Sequence, residues 1–143
     1  PECSRFEQCI EAAKDMIKKY KYDKIFLATE DEEALELFRN EFGNQVVFYK
    51  DCERAKGKSS IICNENVRPY NLGLQVLRDV YTLVCSDVLI CGLSQVSFAV
   101  QYIKNSRNES FSHINQIEMN INNNRNDVRS YSKSISWIIQ KKH

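Results

Sequence analysis

Asp79 is the residue whose setting most needs a chemical explanation. It lies in the run VLRDVYTLV, with Val76 one turn before it and Leu83 one turn after it if the segment is helical. Leu72, Val76 and Leu83 form one apolar row, and Asp79 falls in that row. A carboxylate there is costly to bury alone. It either pairs with a cation such as Arg68 and is structural, or it serves a site. A second group follows at Gly92-Leu93-Ser94-Gln95-Val96-Ser97. Gly92 lets a ligand approach the backbone. Ser94 can cap a helix, leaving the amides of Val96 and Ser97 to face whatever sits in front. Such a helix start after a parallel strand suits a phosphate, although the same arrangement is plain architecture in most doubly wound domains. A third group, Thr29-Glu30-Asp31-Glu32-Glu33, follows a short apolar run. Thr29 or Asp31 caps the helix that follows, and acids in its first turn favour its dipole. They also stand where doubly wound sheets place ligand-contacting residues.

The elements that would position these groups alternate. Phe6, Cys9, Ile10, Ala13, Ile17 and Tyr20 recur at helical spacing, with Ser4 and Glu7 as a capping box. Ile25 to Ala28 is a buried strand, and Ala34, Leu35, Leu37, Phe38 and Phe42 mark a helix stopped by Gly43. Residues 45–49 form a second strand, residues 51–59 a polar loop, and Ser60 to Cys63 a short extended segment. Arg68-Pro69 delays the next helix until Asn71. That helix should bury Leu74, Leu77, Val80, Tyr81 and Val84. Residues 87–91 have no polar side chain after Asp87, as in a strand covered on both faces, and a helix to Ile103 follows. Residues 105–127 hold eight asparagines and predict loop. The tail from Arg129 to His143, with Ile135, Trp137, Ile138 and Ile139, predicts a short helix packing back on the domain. The order predicts an α/β fold: a Rossmann-like parallel sheet with helices on both faces. Residues 1–103 would form it, and residues 104–143 would add the loop and tail.

Composition narrows the function classes. The 143 residues are 43% apolar and 27% charged with a net charge of +1, ordinary for a single globular domain. Residues 1–66 carry 14 acids and 11 bases, and residues 67–143 carry 5 acids and 9 bases. That asymmetry is too mild to indicate nucleic acid, though it is compatible with an anionic ligand. No apolar run approaches a membrane span, and no signal-peptide pattern stands at the start. The chain begins with Pro1, which suggests a fragment of something longer. Six cysteines without a C-x-x-C pair, and two histidines late in the chain, predict reduced thiols in a cytoplasmic setting and no metal.

Two of these motifs together resemble the C-terminal, nucleotide-binding half of the fucosyltransferase superfamily. They are the strand end and acids of residues 25–35 and the stretch from Val76 to Ser94. The nearest likeness is to alpha-1,6-fucosyltransferases, including the rhizobial nodulation enzymes, and it covers roughly residues 5–103. The resemblance implies one half of a GT-B-like glycosyltransferase. Its donor substrate would be a GDP-sugar, GDP-fucose in that family, and its acceptor a glycan hydroxyl, without a metal cofactor. Asp79 would recognise the two adjacent N–H donors of guanine. Gly92, Leu93, Ser94, Gln95 and Ser97 would line the diphosphate, with either Ser94 or Ser97 as the phosphate-contacting serine. Glu30 and Asp31 would stand in place of the family's acidic pair, which is usually Asp-Asp.

The family's phosphate-gripping arginine motif belongs upstream of Pro1. Transition-state charge would lack that compensation, so the chain alone is expected to bind nucleotide weakly and transfer nothing. An N-terminal domain of the same protein would complete the enzyme, in the cytoplasm or peripheral to a membrane. The rival from another class is a truncated or decayed non-catalytic α/β module used for ligand or protein binding. A receiver-type domain is a third reading, with Asp51 beyond the strand at Val46 as its phosphorylated residue.

Overall fold

Two strands with apolar side chains on both faces set the architecture. In the computed structural model, which describes residues 5–54, 68–117 and 135–140, these are β1 (Lys24–Thr29) and β3 (Val88–Cys91). Ile25, Leu27, Val88 and Ile90 join one core, while Phe26, Ala28, Leu89 and Cys91 join another. This is the period-two alternation of strands, and each face needs a cover. The first face is covered by α1 (Arg5–Tyr20) and α2 (Glu32–Phe42), through Cys9, Ile10, Ala13, Leu35 and Phe38. The second is covered by α3 (Pro69–Val84) and α4 (Gln95–Ser106), through Val80, Leu83, Val84 and Val100. The protein is therefore mixed α/β, with helices on both faces of one sheet.

That sheet has five strands in the order β2-β1-β5-β3-β4, where β2 is Val46–Val47, β4 is His113–Gln116 and β5 is Ile135–Gln140. The pairs β1–β2 and β3–β4 are parallel, but β5 runs antiparallel to both of its neighbours. This corrects the expectation of a parallel sheet and of a helical tail. The sequence ISWIIQ is β-branched and aromatic, which favours a strand, and β1 and β3 each present it an unpaired edge. The Asn-rich expectation is corrected in part, because α4 continues to Ser106 and β4 lies within the segment. β4 is an edge strand held by its backbone, with the Ile117 amide donating to the Cys91 carbonyl just beyond it. Such a strand needs little apolar content. Residues 118–127, Ser4 and the predicted extended segment at Ser60 to Cys63 lie outside the described residues.

Local signals fix the helix ends. The Asp31 side chain accepts from the Glu33 amide at 3.0 Å and caps α2. Gly43, at φ 54°, ends α2 with its N–H donating to the Arg39 carbonyl, a backbone angle that suits glycine. α3 starts at Pro69 rather than Asn71. A proline at the first helical position has no amide to leave unsatisfied, and its φ is already helical. Only the extended Arg68 obeys the restriction on residues before proline.

Lys104 ties the two helices of the second face together. It is buried, and its Nζ donates to the carbonyls of Val84 at 2.7 Å and Ser86 at 2.6 Å. These carbonyls lie at the C-terminal end of α3, where a cation complements the helix dipole. The Phe111 ring lies 4.5 Å from the ammonium. Lys104→Met should therefore leave two carbonyls without this donor and cost about 2–3 kcal/mol of stability. Thermal unfolding at neutral pH checks this, and an unchanged melting temperature would contradict the role.

Candidate functional site

A cleft of about 90 Å³ opens at the carboxyl end of β1. Its lining comprises Ala28, Thr29 and Glu30 from the strand end, Cys52 and Glu53 from the loop after β2, and Leu72, Gln75, Val76 and Asp79 from α3. Val96, in the first turn of α4, completes it. The location follows from topology. From β1 the chain goes through α2 to β2 on one side of the sheet, and from β3 through α4 to β4 on the other. Ligands of open α/β sheets bind where the connections diverge in this way, beyond the carboxyl ends of the strands.

The wall made by the loop is held to α3 by a set of polar contacts. Arg78 makes a two-pronged ion pair with Asp51, at 2.9 and 2.8 Å, and its guanidinium stacks over the Tyr49 ring at 3.8 Å. The Tyr49 hydroxyl and Thr82 Oγ1 share a hydrogen bond of 2.8 Å. The Gln75 side chain accepts from the Glu53 amide and donates to the Asp51 carbonyl. Arg54 donates to the Tyr49 carbonyl at 2.8 Å. Both arginines near the cleft are therefore engaged in holding the loop, and no Lys or Arg is among the lining residues. The sequence marked residues 51–59 only as a polar loop. A pairing between positions as far apart as 51 and 78 leaves no local signature. The same geometry weighs against Asp51 as a receiver aspartate, because β2 is a two-residue edge strand and not a central one.

Asp79 is half-buried, and among the described residues no hydrogen-bond donor reaches its carboxylate. Burial pushes its pKa up to about 6, and the positive charges of Arg78 and Arg54 only partly oppose this. Its apolar neighbours Leu72 and Val76 line the same cleft. The row containing Asp79 therefore faces the cleft along its first half and the core at Leu83. Of the other apolar row, only Val80 and Val84 are buried, while Leu74, Leu77 and Tyr81 are exposed, contrary to the sequence expectation. The helix is rotated because the row with Leu83 also meets the sheet.

The remaining predicted site residues separate. Glu30 lines the cleft, whereas Asp31 is buried as the cap of α2. Ser94 and Ser97 form a reciprocal capping box: the Ser97 amide donates to Ser94 Oγ, and the Ser94 amide donates to Ser97 Oγ, each at 3.1 Å. The Ser97 hydroxyl also donates to the Ser94 carbonyl at 2.8 Å. The Ser97 amide is thus engaged within the helix start, and the first-turn amides left for an outside acceptor are those of Gln95 and Val96. Gly92 has a backbone angle open to any residue, and a side chain there would meet nothing within 4 Å. Leu93 is exposed to solvent. Of the stretch from Gly92 to Ser97, only Val96 reaches the cleft.

Among the described residues no group of three or more His, Cys, Asp or Glu side chains could hold a metal ion. No helix among them is long and apolar enough to cross a membrane. Cys9, Cys52, Cys85 and Cys91 are free thiols, and burial pushes the Cys91 thiol up to about 11. Comparison with known protein families, curated proteins and solved structures finds no match for this chain.

The raised pKa of Asp79 has a consequence for stability. In the unfolded chain the group ionises near 3.8, and in the folded chain near 6. Between those values the folded state keeps a proton that the unfolded state has lost, so stability falls as pH rises through that window. Asp79→Asn should therefore be more stable than the parent at pH 7 by about 1–2 kcal/mol, and melt higher. The difference should vanish near pH 4. Thermal melts of both proteins across this range check it, and an equal difference at both ends would refute it.

Proposed function

We propose that the cleft takes the edge of the guanine ring of a GDP-sugar, and that this chain is the donor-binding, Rossmann-like domain of a fucosyltransferase-like glycosyltransferase. The observation that carries this reading is Asp79, a half-buried carboxylate with no hydrogen-bond donor among the described residues, flanked by Leu72 and Val76. Guanine presents two adjacent N–H donors on a flat apolar ring. One carboxylate accepts both, as it does from a guanidinium. The cleft is small, about 90 Å³ against roughly 300–1,000 Å³ for pockets that enclose a whole ligand, so it would take only the edge of the base. The diphosphate would then lie outside the cleft, towards the Gln95 and Val96 amides at the start of α4. The two motifs resembling the fucosyltransferase superfamily supply the choice of GDP-fucose as donor. Transfer to a glycan hydroxyl would require a second, N-terminal domain bringing cations for the phosphates. Glu30 and Glu53 are the other acids lining the same cleft.

A second reading is favoured by the absence of Lys and Arg from the lining. In it, the chain is a non-catalytic α/β module that has no use for a diphosphate.

Calorimetric titration with GDP, ADP, UDP and guanosine separates these readings. The expected result is binding of GDP, weaker binding of guanosine and no binding of ADP or UDP. In Asp79→Asn the guanine preference should be lost, because an amide cannot accept both donors. Equal binding of all three nucleotides would end the guanine role of Asp79, and binding of none would favour the non-catalytic module.

A further inference from the structure

The two helical layers differ sharply in charge. α1 and α2 together carry twelve charged residues among 27, as solvated helices do. α3 and α4 carry three among 28: Arg78, paired with Asp51, Asp79 in the cleft, and buried Lys104. The outward surface of this second layer is instead apolar. Tyr70 is 75% exposed, Leu74 49%, Leu77 53% and Tyr81 50%, and on neighbouring α4 Phe98 is 51% and Tyr102 76% exposed. The four aromatic rings, of about 200 Å² each, leave roughly 500 Å² bare before the leucines are added. A standard interface covers about 800 Å² per partner, and the largest apolar patch on a typical monomer, about 300–600 Å², is often functional.

The α3 stripe also has an internal symmetry. Its spacing, Tyr70 to Leu74 to Leu77 to Tyr81, is four, three, four, so it reads Tyr-Leu-Leu-Tyr in both directions. An interface with two-fold symmetry needs this property, since residue i on one copy must suit residue j on the other and j must suit i. Laid antiparallel on itself, the stripe sets Tyr70 against Tyr81 of the other copy and Leu74 against Leu77. None of the charged residues of the two helices lies on the stripe, and the exposed Arg107, whose guanidinium lies 5.6 Å from the Tyr81 ring centroid, stands at its edge.

We propose that the α3–α4 face is a homodimer interface, built on antiparallel apposition of two copies of the Tyr70-Leu74-Leu77-Tyr81 stripe. The face lies on the side of α3 away from the cleft row, so the dimer leaves the cleft open, and the proposal stands whether or not a nucleotide binds there.

Sedimentation velocity of the chain across a concentration series tests it. The expected result is a monomer–dimer equilibrium that stops at two. Leu74→Glu with Leu77→Glu should weaken the dimer by roughly a hundredfold or more, because like carboxylates would be buried against one another. Both positions are exposed, so circular dichroism should show the fold unchanged. Leu74→Glu with Leu77→Lys should associate more tightly than the double-Glu variant, since position 74 of one copy faces position 77 of the other. A monomer at every concentration would overturn the proposal and leave the face to a different partner. A dimer indifferent to the double-Glu change, or growth beyond two copies, would overturn it as well.

Discussion

The strand β5 is the constraint on which the rest of the structure depends. It pairs with β1 at six positions and with β3 at four, and β1 and β3 do not pair with each other. Without it the sheet would be two separate parallel pairs, β2–β1 and β3–β4, and an isolated two-stranded unit is at best marginally stable. Its presence also sets a distance. Two strand spacings place β1 and β3 roughly 10 Å apart, and the groups beyond their carboxyl ends are separated accordingly. Glu30 at the end of β1 and Val96 after β3 can therefore stand on opposite walls of one cleft instead of closing it.

Electrostatics divide the neighbourhood of the cleft into a part used for structure and a part left over. Asp51 is satisfied by the Arg78 guanidinium, which holds its carboxyl below the usual range. Asp79, the next residue on α3, receives no such partner, and burial moves it the other way. The arginines that could have neutralised it are committed to the loop from Tyr49 to Arg54. The fold thus bears the cost of a half-buried acid with no hydrogen-bond donor, which the nearby charges of Arg78 and Arg54 offset only in part. This imbalance is why Asp79, and not the more numerous acids after β1, is the centre of the functional proposal.

Much of the fold was legible because its signals are local. The period-3.6 row in α1, the apolar runs of β1 and β3, the Asp31 cap and the Gly43 stop each depend on neighbours within one or two turns. What was not legible depends on distant partners. ISWIIQ could not be assigned as a strand without knowing that β1 and β3 leave a gap for it. β4 is polar in sequence and is a strand only because β3 supplies hydrogen bonds. In α3 the pattern offered two adjacent apolar rows, and the core takes part of each: Val80 and Val84 from one and Leu83 from the other. The site was legible in the same proportion. Asp79 and Glu30 were marked by position, whereas Cys52 and Glu53 reach the cleft through a loop with no motif and Gln75 from α3 without one. Ser94 is legible as a cap, but its reciprocal pairing with Ser97, which consumes the Ser97 amide that the sequence leaves free for a ligand, appears only in the structure.

The most direct test of the central claim is the carboxyl resonance of Asp79, followed by carbon-13 NMR as a function of pH with and without GDP. The account predicts titration near pH 6 in the free protein. GDP should lower that value by at least one pH unit, because guanine N–H donors favour the ionised form. Titration near 4 in the free protein, or a midpoint unmoved by saturating GDP, would contradict it.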